Sequence, residues 1–143
     1  MSVSYLPEGH NQVSPYLMVE SIENMFAFLT EVFDAEIIEQ MSGDDGFLRH
    51  GEVRIGDSVI MMGRSRGEYK AMESMVHIYL PDAKAAYDKA IALGASSLME
   101  PTDQFYGNRE AGVRGPQGNQ WWIATRIEIL SEEEMRRRAA NQP

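Results

Sequence analysis

Two side chains that can transfer a proton or bind a metal lie two residues apart, His50 and Glu52 in the segment FLRHGEVRI. Side chains alternate along a β-strand, so this spacing places both groups on one face. His77, in the apolar run MVHIYL, can act as an acid or base near pH 7 or orient a ligand carbonyl. His77 and Glu52 are therefore candidate catalytic residues, and His50, Glu52 and His77 together are a candidate metal site. For a lone histidine in a strand, a structural role is the alternative.

The motif YGNRE contains the candidate for anion binding, Arg109, whose guanidinium can hold a carboxylate or phosphate through two parallel hydrogen bonds. Tyr106 lies beside it and is predicted to line the mouth of the same site. The alternative for Arg109 is a surface ion pair with Glu110 or Asp103.

Composition limits the classes of partner. The chain has 143 residues, 43% hydrophobic and 24% charged, with a net charge of −9. This acidic balance argues against nucleic acid or an anionic membrane as the main partner. With no cysteine, disulfides and thiolate chemistry are excluded. No apolar run approaches the ~20 residues of a membrane-spanning helix, and the first residues lack a signal-peptide pattern, so we expect a cytoplasmic protein.

Hydrophobic periodicity and turn residues predict the elements that position these side chains. In chain order we expect an N-terminal arm (1–12), a first βαβββ module (13–63), a linker (64–74), a second βαβββ module (75–126) and a C-terminal helical tail (127–143). Ser21 and Asp82 are the predicted caps of the two module helices. His10 falls in the arm, where nothing in the sequence predicts a role for it.

The two modules align with each other as an internal repeat. A shift of 61 residues places PYLMV on VHIYL, and a shift of 60 places Met61 and Met62 on Trp121 and Trp122. Each module alone is too small to bury a sufficient core. The predicted fold class is therefore α+β, built from two tandem βαβββ units.

Three segments resemble a known family: DQFYGNREAGVRGPQGNQWWIATR, VHIYLPDAKAAYDKAIALGA and LSEEEMRRR. Together with the duplicated βαβββ order, they are similar to the PhnB-like branch of the vicinal oxygen chelate superfamily, which includes glyoxalase I, bleomycin-resistance proteins and extradiol dioxygenases. The resemblance implies a curled mixed sheet that forms a cup, with the helices outside, and a homodimer.

In metal-dependent relatives, four His, Glu or Gln ligands face into that cup. The resemblance places these four slots on Ser14, Met62, Met75 and Trp122, none of which suits a hard or borderline divalent ion. We therefore predict no metal and no cofactor.

Strand alternation and the resemblance together predict a small-molecule pocket lined by aromatic and methionine side chains. The predicted binding residues are Tyr16, Met62, His77, Tyr79, Tyr106, Arg109 and Trp122. The same side chains filling a closed core are the alternative. The predicted function is a metal-free protein that binds a small organic molecule. The alternative is a lyase or isomerase of the glyoxalase type, either cofactor-free or using metal at the displaced site.

Overall fold

The computed structural model describes residues 2–143, which form eight β-strands and three α-helices. The elements in chain order are β1 (Tyr16–Val19), α1 (Ile22–Phe33), β2 (Glu36–Ser42), β3 (Leu48–Ile55), β4 (Ser58–Arg64), β5 (Met75–Tyr79), α2 (Ala83–Ala92), β6 (Ser96–Asp103), β7 (Asn108–Arg114), β8 (Gln120–Arg126) and α3 (Glu132–Ala140).

The strands form two four-stranded sheets with the same topology. The first has the order β1-β4-β3-β2 and the second the order β5-β8-β7-β6. In each sheet the first strand runs parallel to the last strand of its module, and the remaining pairs are antiparallel. The predicted α+β fold of two βαβββ modules is confirmed.

The chain divides into two compact units, and the boundary along the chain falls between Met72 and Glu73, inside the predicted linker. Most of that linker belongs to the first unit, because the amide of Met72 donates a hydrogen bond to the carbonyl of Met18 at 3.1 Å. Ser74 belongs to the second unit, where its carbonyl accepts from the amide of Gln120 at 2.8 Å.

Both module helices begin at the predicted caps. The Ser21 side chain accepts a hydrogen bond from the amide of Asn24 at 3.1 Å, and Asp82 accepts from the amide of Ala85 at 3.0 Å. These contacts satisfy amides that have no partner inside the first helical turn. Helix α1 ends at Asp34, which takes the left-handed conformation with φ of 53°.

Strand β6 extends beyond the predicted segment 96–99 and includes Pro101. Proline has no amide to donate, so it fits only an edge strand or a bulge. β6 is the edge of its sheet, and its pairing with β7 is irregular between Met99 and Thr102. The extension matters for the site because it brings Asp103 opposite Arg109.

The C-terminal tail is attached to the second unit through helix α3. Arg138 on α3 donates hydrogen bonds to the carbonyl of Phe105 at 3.1 Å and to Glu128 at 2.9 Å. Helix α3 has no buried residue, so these polar contacts fix its position. None of the helices within residues 2–143 has the length and apolarity required to cross a membrane.

Strand pairing corrects the predicted alignment of the two modules. Met61 lies opposite Tyr16 of β1, and Trp122 lies opposite His77 of β5. Since Tyr16 and His77 occupy equivalent positions, Met61 rather than Met62 is the counterpart of Trp122. Between the equivalent pairs Arg54–Val59 and Arg114–Gln120, the first hairpin has four residues (55–58) and the second has five (115–119), and this single residue changes the alignment. Such a change moves every side chain of a strand to the other face.

Candidate functional site

Each sheet has one face that packs against its module helix and a second face, which we call the non-helix face. In the first unit a Cβ added at Gly51 would come within 2.5 Å of Phe26 and 2.9 Å of Ile22, so Gly51 faces α1. His50 and Glu52 therefore point to the non-helix face, as the sequence predicts. Tyr16 joins them there from β1.

Glu52 is the centre of a hydrogen-bonded cluster on this face, the Glu52 cluster, formed by Tyr16, His50, Glu52 and His10. Its Oε2 accepts from Nε2 of His50 at 2.8 Å, and its Oε1 accepts from Nε2 of His10 at 2.6 Å. The Tyr16 hydroxyl lies 3.1 Å from Nδ1 of His50. Only 7% of Glu52 is exposed, so both carboxylate oxygens are satisfied by imidazoles rather than by bulk solvent.

Electrostatics favour an ion pair between His10 and Glu52. The hydrogen bond to Glu52 raises the pKa of His10 above its ordinary value, and the second bond from its Nδ1 to the carbonyl of Glu8 raises it further. For Glu52, burial raises the pKa, but the hydrogen bonds from His50 and His10 outweigh burial and lower it overall. A protonated His10 beside an ionised Glu52 is the charge state that both shifts describe.

The N-terminal arm supplies His10 because it is bound along the first sheet. His10 closes a turn by donating its amide to the carbonyl of Pro7 at 3.1 Å. Asn11 accepts from the amide of Val59 at 3.2 Å, and Arg54 donates to the carbonyl of Gly9 at 3.2 Å. No role was predicted for His10 from the sequence. The turn signal of Pro7 and Gly9, followed by the side chains of His10 and Asn11, was the available clue to an ordered arm.

A cavity of about 680 Å³ opens on the same face, and the Glu52 cluster forms part of its wall through Tyr16 and His50. Two further groups line it: Met18, Met41 and Tyr69, and the arginines Arg49, Arg64 and Arg66. Gly63 completes the wall. The cavity therefore combines aromatic and thioether surface with positive charge.

The three arginines differ in their partners. Arg64 is paired with Asp45 at 2.9 Å. A backbone hydrogen bond from Phe47, together with Arg64, lowers the pKa of that carboxyl. Within residues 2–143, Arg49 and Arg66 form no ion pair with a carboxylate. Two guanidinium groups at this cavity are therefore available to an anion.

The second unit carries a different cluster on the corresponding face, the Glu110 cluster, formed by Tyr106, Asn108, Glu110 and His77. The Tyr106 hydroxyl donates to Oε1 of Glu110, and Asn108 donates to Oε2 at 3.2 Å. Nε2 of His77 lies 3.9 Å from Oε2 of the same carboxylate. Burial and the hydrogen bond to Glu110 raise the pKa of Tyr106 to about 12. This tyrosine holds its proton firmly.

Trp122 lies on the non-helix face of the second sheet, where a Cβ at its partner Gly112 would meet the indole at 2.5 Å. Gly112 therefore provides the space in which the indole lies. Trp121 points to the opposite face and is fully buried. Tyr79 is 66% exposed, and its ring packs edge-on against His77 with centroids 4.8 Å apart.

Two predicted binding residues lie elsewhere than expected. Met62 pairs with Gly51, so it faces α1 and is completely buried. Its predicted place on the non-helix face is wrong for the one-residue reason given above, and Met61 takes that place. Arg109 forms two hydrogen bonds with Asp103, at 2.7 and 3.2 Å. This exposed pair is the alternative that the sequence left open for Arg109.

The residues at the four family ligand slots do not fit a divalent metal. Met62 is buried against α1, Met75 is 67% exposed at the start of β5, and the indole of Trp122 donates to Gln120 at 3.1 Å. Ser14 precedes β1. Across residues 2–143, no three His, Asp or Glu side chains converge in a metal-binding arrangement. His50 and Glu52 lie together in the first unit, while His77 lies in the second.

The two βαβββ units define this chain as an α+β protein built from two repeats of one module. A family model described as the Glyoxalase/Bleomycin resistance protein/Dioxygenase superfamily matches residues 10–123. The chain belongs to this superfamily. Among curated proteins it is similar to an uncharacterized protein of Mycobacterium bovis, Mb0911c, with 24% identity over 141 residues that cover 91% of this chain and 93% of the relative.

Similar solved structures include TioX from Micromonospora sp. ML1, with a TM-score of 0.70, 19% identity and coverage of 82% of this chain and 99% of TioX. The PhnB protein from Bacillus cereus, titled a putative 3-demethylubiquinone-9 3-methyltransferase, has a TM-score of 0.63 at 19% identity, covering 80% and 99%. The fosfomycin resistance protein FosX of Listeria monocytogenes, complexed with Mn(II) and sulfate, has a TM-score of 0.64 at 16% identity, covering 90% and 97%. At these identities the likeness shows the fold.

Proposed function

We propose that this protein binds small organic anions with an aromatic or apolar part in the cavity of the first unit, without a metal. The observation that carries the proposal is the wall of that cavity, where Arg49 and Arg66 stand beside Tyr16, Met18 and Tyr69. No residue that lines the cavity, in the part of the chain the structure describes, carries a carboxylate.

The chemistry of this wall selects the ligand class. A guanidinium binds a carboxylate, sulfonate or phosphonate through paired hydrogen bonds. Methionine sulfur makes favourable contacts with aromatic rings, worth about 0.3–1.5 kcal/mol each. A ligand with an anionic group and a ring uses both kinds of contact, whereas a cation meets uncompensated positive charge.

The metal-free part of the proposal is supported by the side chains at the four positions where metal-dependent relatives carry ligands: Ser14, Met62, Met75 and Trp122. Two thioethers, an indole and a hydroxyl compete poorly for divalent ions against imidazole and carboxylate sites. Elemental analysis after mild purification tests this point. One tightly held metal per chain that is lost in His77→Ala would instead support the metal-dependent alternative at His50, Glu52 and His77.

The binding test uses 2-naphthoate as an unreactive aromatic anion. With the ten methionines labelled at their 13C methyl groups, we expect the Met18 and Met41 signals to shift on titration, while Met99 and Met135 of the second unit do not. Arg66→Gln should weaken binding about tenfold, as expected for loss of a charged hydrogen bond. Arg137→Gln is the control, since Arg137 pairs with Glu134 on α3. Saturable shifts confined to the second unit would contradict the proposal.

For the second unit we propose a separate ligand surface formed by Tyr79, Tyr106, His77 and Trp122, tested by the response of Trp122 fluorescence to the same titration. We also propose a cytoplasmic homodimer, because sheet edges left unpaired in water favour association. Light scattering should give about twice the chain mass of 16.1 kDa. A mass of one chain at every concentration would contradict the dimer.

A further inference from the structure

The Glu52 cluster forms a continuous line of hydrogen bonds that begins in the arm and ends at the cavity. Each imidazole in it has a defined role, set by what its two nitrogens face. His10 faces two acceptors, Glu52 and the Glu8 carbonyl, so both of its nitrogens donate. His50 faces the carboxylate of Glu52 with Nε2, which must donate, and this leaves Nδ1 to accept from the Tyr16 hydroxyl.

This is the arrangement of an activated nucleophile: a hydroxyl, an imidazole whose second nitrogen faces that hydroxyl, and a carboxylate that orients the imidazole. We propose that Tyr16 is the catalytic nucleophile of a metal-free acyl-transfer site, with His50 as its base and Glu52 and His10 as positioning residues. The substrates are activated acyl compounds, such as aryl esters, that carry an anionic group. The substrate class rests on the proposed function, because the anionic group is the one that Arg49 and Arg66 would hold.

His10 contributes by binding the same carboxylate as His50. Its Nε2 donates to the oxygen of Glu52 opposite the one that His50 contacts, so the two imidazoles share the carboxylate. Because Nε2 of His50 donates to Glu52, Nδ1 is the nitrogen that faces the Tyr16 hydroxyl and takes its proton.

The Tyr16 hydroxyl reaches His50 because Gly63 leaves room for it. A Cβ at Gly63 would lie 2.9 Å from the Tyr16 hydroxyl oxygen and 3.1 Å from its ring. Tyr16 is 50% exposed and lines the cavity, so its oxygen is accessible to a bound molecule. Tyr106 in the second unit lacks these properties, since it donates to a carboxylate and its pKa is raised to about 12.

The reaction proceeds in two steps. The Tyr16 oxygen attacks the acyl carbon while its proton passes to Nδ1 of His50; the bond to the aryl oxygen breaks, and that oxygen leaves with the electron pair and takes the proton from His50. Water then attacks the acyl-tyrosine and gives a proton to His50. The bond to the Tyr16 oxygen breaks, that oxygen recovers the proton, and a carboxylic acid is released.

The leaving group fixes the substrate class further. A phenol oxygen acting as the nucleophile displaces only leaving groups of similar or lower basicity. Alkyl esters and amides are therefore excluded, and aryl esters are included. 4-Acetoxybenzoate combines such a leaving group with a carboxylate and a ring.

The first test measures the nucleophile directly with 4-(fluorosulfonyl)benzoate, which sulfonylates an activated tyrosine and releases fluoride. By peptide mass spectrometry we expect Tyr16 to react about 10²-fold or more faster than Tyr69, which lines the same cavity, as general-base assistance predicts. His50→Gln should remove that advantage. Equal rates at Tyr16 and Tyr69 in the unmodified protein would overturn the proposal.

The second test follows hydrolysis of 4-acetoxybenzoate. We expect Tyr16→Phe to lower the rate by about 10²-fold or more and to abolish the acetylated protein. Tyr87→Phe is the control, since its hydroxyl donates to Ser97 in the second unit. Hydrolysis that is unchanged in Tyr16→Phe would overturn the assignment. If 2-naphthoate still binds in that case, the failure concerns the nucleophile and the proposed binding function stands.

The positioning residues are tested by 15N chemical shifts of the imidazoles at neutral pH. We expect two protonated nitrogens on His10, and on His50 a protonated Nε2 with an unprotonated Nδ1. Glu52→Gln should alter both patterns, and Gly63→Ala should leave them intact while slowing the labelling of Tyr16. A protonated Nδ1 on His50 in the unmodified protein would overturn the role of His50 as a base.

Discussion

The two units share a fold and differ on their non-helix faces. In the first unit, Glu52 on β3 receives hydrogen bonds from two imidazoles, and the Tyr16 hydroxyl lies 3.1 Å from Nδ1 of His50. In the second, Glu110 on β7 accepts a hydrogen bond from the Tyr106 hydroxyl itself. The same three residue types are thus connected differently: the tyrosine hydroxyl contacts an imidazole in the first unit and the carboxylate itself in the second.

Side-chain volume differs between the two faces in a related way. Strand pairing makes Glu52 and Gly112 equivalent, and their partners are Met61 and Trp122. Where the first unit places a carboxylate, the second has no side chain and an indole lies over the strand. At this position the first unit therefore has a carboxylate and the second an indole, and the two units present chemically distinct surfaces.

The largest expected effect is a loss of stability when a buried side chain on the helix-facing side of either sheet is truncated. It tests whether these two sides are alike although the non-helix faces differ. Met62 and Trp121 are both fully buried there, one in each unit. We expect Met62→Ala to cost about 2–5 kcal/mol and Trp121→Ala about 3–5 kcal/mol in the free energy of unfolding, from lost burial and the cavity left behind. Urea denaturation measures both. Trp122→Ala should cost less, and an equal or larger loss would mean that the non-helix face is core as well.

The next effect contrasts two glycines on equivalent strands, Gly51 on β3 and Gly112 on β7. Gly51→Ala would place its methyl against Phe26 and Ile22 in the buried interface with α1, so we expect a loss of about 1–3 kcal/mol from overpacking. Gly112→Ala would meet only the half-buried indole of Trp122. We expect a smaller loss with a clear change in Trp122 fluorescence. If Gly112→Ala proves the more destabilising, the indole is held rigidly and the contrast between the faces fails.

Features of the fold and of the site were predictable from the sequence where neighbouring residues determine them. The helices and their caps at Ser21 and Asp82 follow from neighbouring residues, and the element order follows from periodicity and turns. The face of Met62 does not, because its predicted place relied on an alignment with Trp122 that a one-residue difference between the two hairpins invalidates. The bond from His10 to Glu52 joins residues 42 positions apart, and no single-chain pattern encodes it. Arg109 finds Asp103 only because β6 continues past Pro101.

A third effect is pH-dependent and concerns the Glu52 cluster. The pKa of His10 is raised above 6.5, so its contribution to stability is complete below 6.5 and is lost as the pH rises through the folded value. The pKa of Glu52 is lowered below 4.5, so its contribution is complete above 4.5 and is lost as the pH falls through the folded value. The stability difference between the unmodified protein and Glu52→Gln should therefore be greatest between pH 4.5 and 6.5.

The matched control for that window is Glu110→Gln, measured by urea denaturation over the same pH range. Glu110 accepts hydrogen bonds from the Tyr106 hydroxyl and the Asn108 amide. The imidazole beside it, that of His77, lies 3.9 Å away. We expect its stability difference to vary less with pH. A Glu52→Gln difference that is flat across the whole range would show that the two histidines gain nothing from Glu52.

The smallest predicted effect is a change in the pKa of Tyr106, which is observed only at high pH. It tests whether the hydrogen bond to Glu110 holds the proton of this tyrosine. Burial and the hydrogen bond to Glu110 raise the pKa of Tyr106 to about 12. Glu110→Gln removes the negative charge but not the burial, so the pKa of Tyr106 should fall part of the way toward 10. Ultraviolet titration of the phenolate band, with Tyr106→Phe subtracted to isolate one of six tyrosines, measures the change. If Tyr106 ionises near pH 10 before the substitution, its proton is not held by Glu110, and the two units differ less in their chemistry than in their side-chain volumes.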